Sequence, residues 1–226
     1  MRSVNAGLAM FFLAAGAQGF GLVGAVVSPG SEADNAPRAD LSAILSDKDC
    51  AAVACRSAAT ADIVGADGQH HTLAVPRSPY VTKAGTIIVF PGEALLFDFP
   101  NAKDGVLGAP HLYSRIVNGK IENGSPPTGP VLGVSFGTFH LGPDHAYPSY
   151  RMSANFDRSV QFVATDTLLV GEKITARRSE LCIKSPKAPS DILPPGVPGP
   201  SLFNGFAYRA PDATDVGCRF TDPPAG

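Results

Sequence analysis

The chain has 226 residues, of which 44% are hydrophobic and 17% are charged, and its formal net charge is −2 at pH 7. This apolar content excludes a largely disordered chain, and the balanced charge argues against a general nucleic-acid-binding surface. The 24 glycines and 21 prolines follow no period, which excludes a collagen-like protein.

The N-terminal segment has the composition of a secretory signal. One basic residue, Arg2, precedes an uncharged apolar stretch that ends at Val27. The centre of this stretch is rich in Leu and Phe, and small residues follow. Residues 15–17 (Ala-Gly-Ala) and 23–25 (Val-Gly-Ala) both match the small-x-small pattern of a cleavage site. We therefore predict a signal peptide over residues 1–25 and a secreted or periplasmic protein.

An uncleaved anchor is the alternative, because a stretch of about 20 apolar residues is long enough to span a bilayer. The protein would be attached to a membrane only if this segment is retained. Against an anchor, the second half of the stretch is rich in Gly and Ala, which gain little from lipid. No basic residue follows before Arg38. We predict a flexible leader over residues 26–40 and one folded domain over residues 41–226.

A glycine pattern within the apolar stretch resembles a dinucleotide-binding motif. Residues 19–24 (Gly-Phe-Gly-Leu-Val-Gly) have the required spacing, but the motif is meaningful only between a strand and a helix. Residues 28–30 (Ser-Pro-Gly) would break that helix. We therefore expect no cofactor.

The folded domain is predicted to begin with one short helix. Asp40 can cap its N-terminus, and Leu41, Ile44 and Leu45 would share one face. We expect this helix to end before Ala51.

From Thr60 onward, short apolar runs alternate with turn residues, which predicts β-strands. Asp67-Gly68 separates two such runs and predicts a hairpin. Pro91-Gly92 separates residues 86–90 from residues 94–99, suits a type II turn, and predicts that these two strands pair with each other. Further strands are predicted over residues 111–117, 131–141, 150–156, 159–164, 167–170, 173–176 and 180–184.

The segment of residues 186–200 contains six prolines. Because proline has no backbone N–H to donate, this segment is predicted to be an extended surface loop and not a central strand. About ten short strands with little helix predict an all-β domain, which we expect to be a two-sheet β-sandwich. A closed β-barrel is the alternative.

Four cysteines in an exported chain predict two disulfides. Of the three possible pairings we favour Cys50–Cys55 with Cys182–Cys218, and the second bridge would close the proline-rich segment into a loop. The first bridge requires that residues 50–55 are not regular helix, because the two Cα atoms would then be too far apart. The Cys-x4-Cys spacing differs from the Cys-x2-Cys of redox and zinc motifs.

Residues 133–137 (Gly-Val-Ser-Phe-Gly) match the nucleophile elbow of α/β-hydrolases. The elbow needs a strand, a sharp turn and a helix, whereas the residues that follow Ser135 predict more strand. Only a convergent arrangement, for example of Ser135 with His145 and Asp157, would then support hydrolysis. We predict no catalytic residues.

A metal site and a carbohydrate site are two weaker alternatives. Imidazole and carboxylate groups bind zinc or copper, but a histidine five residues after another is not a recurring ligand spacing, so we predict no metal. Aromatic side chains also line carbohydrate sites, although the chain contains no Trp. The candidate metal ligands are His111, His140, Asp144 and His145, and the candidate aromatic residues are Tyr113, Tyr147, Tyr150 and Phe156.

The sequence therefore predicts an exported, disulfide-containing β-sandwich with a non-catalytic role. It would bind a ligand, a protein partner or the cell envelope. We expect any site to lie along residues 112–118 and 140–152, where polar and aromatic residues collect. The alternative is an exported hydrolase or metal-dependent enzyme that uses Ser135 and His140 or His145.

Overall fold

The computed structural model describes residues 50–64, 69–100, 106–117, 119–122, 127–140, 146–170, 173–183, 190–192 and 197–209. In these residues the structure contains strands and connecting turns, with no α-helix. The predicted signal peptide, leader and short helix lie outside the described residues. The strands are β1 (Cys55–Arg56), β2 (Ala59–Val64), β3 (His70–Val75), β4 (Ser78–Pro79), β5 (Ile87–Val89), β6 (Ala94–Asp98), β7 (His111–Val117), β8 (Lys120–Ile121), β9 (Val131–His140), β10 (Ala146–Ala154), β11 (Val160–Val170), β12 (Lys173–Ile183), β13 (Ser190–Ile192) and β14 (Val197–Tyr208).

Two antiparallel sheets form the body of the domain. One has the strand order β13-β10-β9-β6-β7-β8 and the other has the order β12-β11-β14-β5. Their inner faces contribute to a single buried core, with Leu132 and Tyr150 from the first sheet and Phe162 and Phe203 from the second. This arrangement confirms the predicted all-β sandwich, and the described strands form open sheets instead of a closed barrel.

Aromatic rings join the two sheets across this core. Tyr150 meets Phe203 with ring centroids 5.2 Å apart, and Phe206 meets Phe162 and Phe99, each at 5.3 Å. All but the Phe162–Phe206 contact are edge-to-face. Aromatic pairs of this kind add about 0.5–1.5 kcal/mol each beyond the area that they bury. Phe and Tyr therefore fill the interior of a chain that has no Trp.

The hairpin β2–β3 forms as predicted and makes a third layer. It pairs in register from Ala59–Val75 to Val64–His70. Its apolar side packs on the outer face of the four-stranded sheet, where Ile88 and Phe90 are buried. Because Ile87 and Val89 are buried on the inner face, β5 has no solvent-exposed side. This double burial explains the uninterrupted apolar run of residues 86–90.

The predicted pairing of β5 with β6 is wrong. The turn itself forms as expected, since Gly92 has a φ of 87° and the N–H of Glu93 donates to the carbonyl of Phe90 at 3.1 Å. However, β5 pairs with β14, whereas β6 pairs with β7 and β9. The turn is a corner at which the chain passes from one sheet to the other. Turn chemistry is local, so it specifies the bend but not the partners of the strands.

The predicted loop status of residues 186–200 is also wrong at two places, because β13 (Ser190–Ile192) pairs with β10 and the C-terminal end belongs to β14. β14 begins at Val197 and lies between β11 and β5 in the four-stranded sheet. Pro198 and Pro200 are tolerated because pairing with β5 begins only at Ser201, so the proline-containing half of β14 has one described neighbour, β11. A register shift in the β11–β14 pairing falls in this half. The missing N–H groups of the two prolines therefore remove no hydrogen bond from the β14–β5 pairing.

The strands β11 and β12 are longer than predicted. Each is a single strand of 11 residues, where the sequence pattern predicts two short strands. The apparent interruptions are polar residues that face one another in the paired strands, such as Asp166 opposite Arg177. A buried polar pair breaks the apolar pattern without breaking the strand.

Candidate functional site

Ser135 lies in the middle of β9, where a nucleophile elbow is not possible. It is paired with Ala94 of β6 on one side and with Arg151 of β10 on the other. The elbow exposes its serine at a sharp turn before a helix, and Ser135 is instead part of a continuous ladder. The structure therefore places this motif in a regular strand.

The register separates His111 from His140. His111 is opposite Asp98, which is opposite Val131 at the start of β9. His140 is the last residue of that ten-residue strand. At about 3.4 Å per residue, nine steps along β9 place the two backbones about 30 Å apart, so they do not share a metal ion.

The other candidate metal ligands, Asp144 and His145, lie outside the described residues. In the part of the chain that the structure does describe, no group of three or more His, Cys, Asp or Glu side chains is arranged to hold a metal ion. Of the four aromatic candidates for a carbohydrate site, Tyr150 and Phe156 are buried in the core. Only Tyr113 and Tyr147 remain half-buried near the surface.

Polar and small residues meet on the outer face of the six-stranded sheet. On β9, Val134 and Phe136 face the core, so Ser135 between them faces outward. On β10, Met152 faces the core and Arg151 faces outward beside Ser135. We call this patch the outer polar strip; its members are Ser135, Ser149, Arg151 and Ser153.

The two ends of the outer polar strip differ in exposure, although Ser149, opposite Gly137, is itself buried. At one end Leu96 is fully buried, and the Oγ of Ser153 is buried with no hydrogen-bond partner among the described residues. At the other end Gly137 is exposed, and a Cβ added there would meet nothing within 4 Å. Ser135 and Arg151 lie half-buried between the two ends. A guanidinium beside hydroxyl groups is suited to a carboxylate, a phosphate or a sugar hydroxyl.

A second polar cluster, which no sequence pattern predicts, is built around Arg56. Its side chain is 5% exposed and all five of its N–H groups donate hydrogen bonds. Nε and Nη2 contact the two carboxylate oxygens of Glu93 at 2.8 and 3.0 Å. The remaining donors bind the Oγ of Ser78 at 3.0 Å and the carbonyls of Pro79 and Ile88 at 2.9 Å.

The residues around Arg56 hold the corner between the two sheets in place. We call Arg56, Glu93, Tyr80 and Phe90 the Arg56 joint. Its guanidinium lies 4.3 Å from the ring centroid of Tyr80 and 4.9 Å from that of Phe90. Glu93 also accepts the N–H of Phe90 at 2.8 Å, within the corner between the two sheets. Because every donor of Arg56 is satisfied within the protein, this cluster stabilises the fold and offers nothing to a ligand.

A third polar cluster lies on the inner face of the four-stranded sheet. Asp166 is fully buried and accepts hydrogen bonds from the Oγ of Ser201 at 2.8 Å and from Nη2 of Arg177 at 3.2 Å. All three residues lie in one row, since Asp166 is directly opposite both of the others. The buried carboxylate of Asp166 is thus paired with the guanidinium of Arg177. An unpaired charge in the interior would cost a large desolvation free energy.

The disulfide between Cys50 and Cys55 is present, with 5.5 Å between the Cα atoms. Cys182 is also disulfide-bonded. Its predicted partner, Cys218, lies outside the described residues, so that pairing stays a prediction. Cys55 of the first bridge directly precedes Arg56. The predicted bridge is therefore the sequence feature that lies nearest to the buried arginine.

No protein-family model matches the chain, and no curated protein or solved structure matches it significantly. Among the described residues there is no helix of the length and hydrophobicity needed to cross a bilayer.

Proposed function

We propose that this protein is exported and that it acts by binding, without catalysis, through the outer polar strip. The observation that carries the proposal is the placement of Ser135 and Arg151 side by side on β9 and β10, half-buried on the outer face of the six-stranded sheet. A sheet face that presents the Arg151 guanidinium beside several hydroxyls offers hydrogen-bond donors to a ligand. The ligand class that suits it is a small anion or a polyhydroxylated molecule.

The disulfide supports the proposed location. Disulfides form and persist in oxidising compartments and are rare in the cytosol. The Cys50–Cys55 bridge is therefore compatible with an exported protein, and the composition of residues 1–25 is that of a signal peptide. Together they favour a secreted or periplasmic protein.

The geometry favours binding over the enzyme alternative. Ser135 lies in the middle of β9 and is paired with a neighbouring strand on each side, and His111 is separated from His140 by the length of β9. A hydrolase or a metal enzyme would have to bring such groups within hydrogen-bond or ligand distance of each other.

A titration with chemically simple probes tests the proposal. Mature protein from the exported fraction is titrated by calorimetry with phosphate, a dicarboxylate and a neutral oligosaccharide. We expect at least one probe to bind, and Arg151→Gln to weaken that binding about tenfold or more, because a charge-assisted hydrogen bond is lost. Arg178→Gln is the matched control: Arg178 is exposed on the other sheet, and its loss is expected to change nothing.

Three results would contradict the proposal. The first is equal binding by the wild type and Arg151→Gln. The second is a stoichiometric metal that is lost in the double variant His140→Ala, His145→Ala, since this would favour the enzyme alternative. The third is an intact mass equal to all 226 residues, which would exclude cleavage of the signal peptide.

A further inference from the structure

The disulfide closes a short loop next to two of the shortest paired strands that the structure describes. Cys50 and Cys55 are five residues apart in the chain, and β1 begins at Cys55. β1 has two residues, paired with the two residues of β4. One further backbone hydrogen bond holds this edge, from the N–H of Tyr80 to the carbonyl of Ala54 at 3.2 Å. The backbone of β1 is thus held by few contacts of its own.

The side chain of Arg56 connects this short strand to the rest of the fold. It spans 37 residues of sequence to reach Glu93 and 32 residues to reach the carbonyl of Ile88. Withdrawal of Arg56 would leave Glu93 with its carboxylate 21% exposed and without its cation. The position of β1 therefore determines whether the corner between the two sheets is charge-balanced.

We propose that the Cys50–Cys55 disulfide is a redox-operated latch that keeps Arg56 inserted between Tyr80 and Phe90. Both cysteines are only partly buried, so a small dithiol has access to the bridge. In the reaction a thiolate of the dithiol attacks one sulfur, and its second thiol then displaces the other cysteine. The dithiol is oxidised to a disulfide, and Cys50 and Cys55 each take up one electron and one proton to become thiols.

Reduction returns conformational freedom to residues 50–55 and weakens the hold on β1. In the chain-entropy model, a bridge over so short a loop changes an opening equilibrium by about 30-fold. None of the five hydrogen bonds of Arg56 goes to β10, so we expect the opening to leave β10 unchanged. The latch thus converts the redox state of the surroundings into order or disorder at the joint between the sheets.

Amide hydrogen exchange measured by mass spectrometry on the complete mature protein tests the latch. Oxidised protein is compared with protein held in dithiothreitol, with alkylation of the released thiols to show which bridge was reduced. We expect exchange in peptides covering residues 54–58 and 78–93 to rise about 30-fold, while peptides from β10 do not change. An unchanged joint, or an equal rise in every peptide, would overturn the proposal.

Two variants separate the latch from other causes. Cys50→Ser with Cys55→Ser is expected to show the open pattern at the joint under oxidising conditions and to be insensitive there to the dithiol. Arg56→Lys, with the disulfide intact, is expected to expose the amides of Phe90 and Glu93 but not those of residues 50–55. If the double serine variant does not fold, the reduced wild-type protein still decides the matter. These results do not depend on ligand binding at the outer polar strip.

Discussion

Arg56 carries a full charge into a site where its side chain is 5% exposed. Desolvation of a guanidinium costs several kcal/mol. This cost is offset only when every N–H group is hydrogen-bonded and the charge is paired with an opposite charge. The bidentate contact with Glu93 and the three other hydrogen bonds match them. A flexible lysine would lack the planar fork that reaches these acceptors together.

We expect Arg56→Met to lower the free energy of unfolding by about 3–5 kcal/mol, because it leaves Glu93 as an uncompensated, mostly buried carboxylate. The double variant Arg56→Met, Glu93→Gln is expected to recover part of this loss, since no charge then remains in the site. Denaturant unfolding monitored by circular dichroism measures both values.

The control is the exposed pair of Arg115 and Glu122, in which Arg115 also donates a hydrogen bond to the hydroxyl of Tyr80 at 3.1 Å. Its geometry is also bidentate, at 2.6 and 3.0 Å, but the side chains are 47% and 40% exposed. Arg115→Met is expected to cost about 1 kcal/mol or less, as exposed ion pairs do. Equal losses for Arg56→Met and Arg115→Met would show that burial does not set the effect.

Tyr208 makes a contribution to stability that depends on pH. Its partial burial, together with the charge and hydrogen bond of Asp157, raises the pKa of the phenol above its ordinary value of 10.0. The folded protein therefore retains this proton where the unfolded chain loses it. The contribution to stability is complete below pH 10 and is lost as the pH rises through the raised pKa.

The ultraviolet absorbance of tyrosinate, measured as the difference between the wild type and Tyr208→Phe, gives the pKa of Tyr208. We expect a midpoint above pH 10.0, and a lower midpoint in Asp157→Asn because the neighbouring negative charge is removed. A midpoint that does not respond to Asp157→Asn would mean that burial alone is responsible.

At the scale of elements, β14 shows how a strand accommodates residues that usually end one. Its first half contains Gly199 between two prolines, packed against Thr167 of β11. The hydroxyl of Thr167 donates to the carbonyl of Pro200 at 2.6 Å. This side-chain hydrogen bond links β11 to a residue of β14 that has no N–H of its own to donate, so the strand remains bonded to its neighbour.

Because a Cβ at position 199 would clash with the Oγ1 of Thr167, Gly199→Ala is expected to lower the free energy of unfolding by about 1–3 kcal/mol. Gly137→Ala on β9 is the control, since nothing lies within 4 Å of its added Cβ. Calorimetric melting of the two variants compares them directly. Similar melting temperatures would show that β14 relaxes to admit the methyl group.

Predictions from the sequence succeeded for elements whose partners are adjacent in the chain. The hairpin β2–β3 follows from two alternating runs around Asp67-Gly68. For β5 and β6 the same logic gave the wrong partner, because both strands find a better-matched neighbour far away in sequence, β14 and β9. Proximity in sequence is a weak guide when a turn lies between two sheets.

At the scale of the whole molecule, two cores share one strand. The central core lies between the two main sheets, and the smaller core lies between the β2–β3 hairpin and the four-stranded sheet. β5 contributes to both, and Arg56 bonds to its middle residue, where the carbonyl of Ile88 accepts a hydrogen bond. The stability of the three layers is therefore concentrated around one short strand and the corner that follows it.

The candidate site was only partly accessible to sequence reasoning. The range 140–152 includes Arg151, which the structure places in the outer polar strip beside Ser135. The same range includes Tyr150, which is buried in the core. Alternation along a strand predicts that neighbouring residues face opposite ways, but it does not say which face is covered.

The sequence by itself determined the features that depend on near neighbours: the apolar N-terminal segment, the turns, the short strands and the Cys50–Cys55 bridge. The tertiary structure decided which strands pair, which face of each strand is buried, and which charge is enclosed. The physical reason is distance along the chain. Periodicity and turn chemistry act over a few residues, whereas Arg56 and Glu93, 37 residues apart, meet only after both sheets have packed.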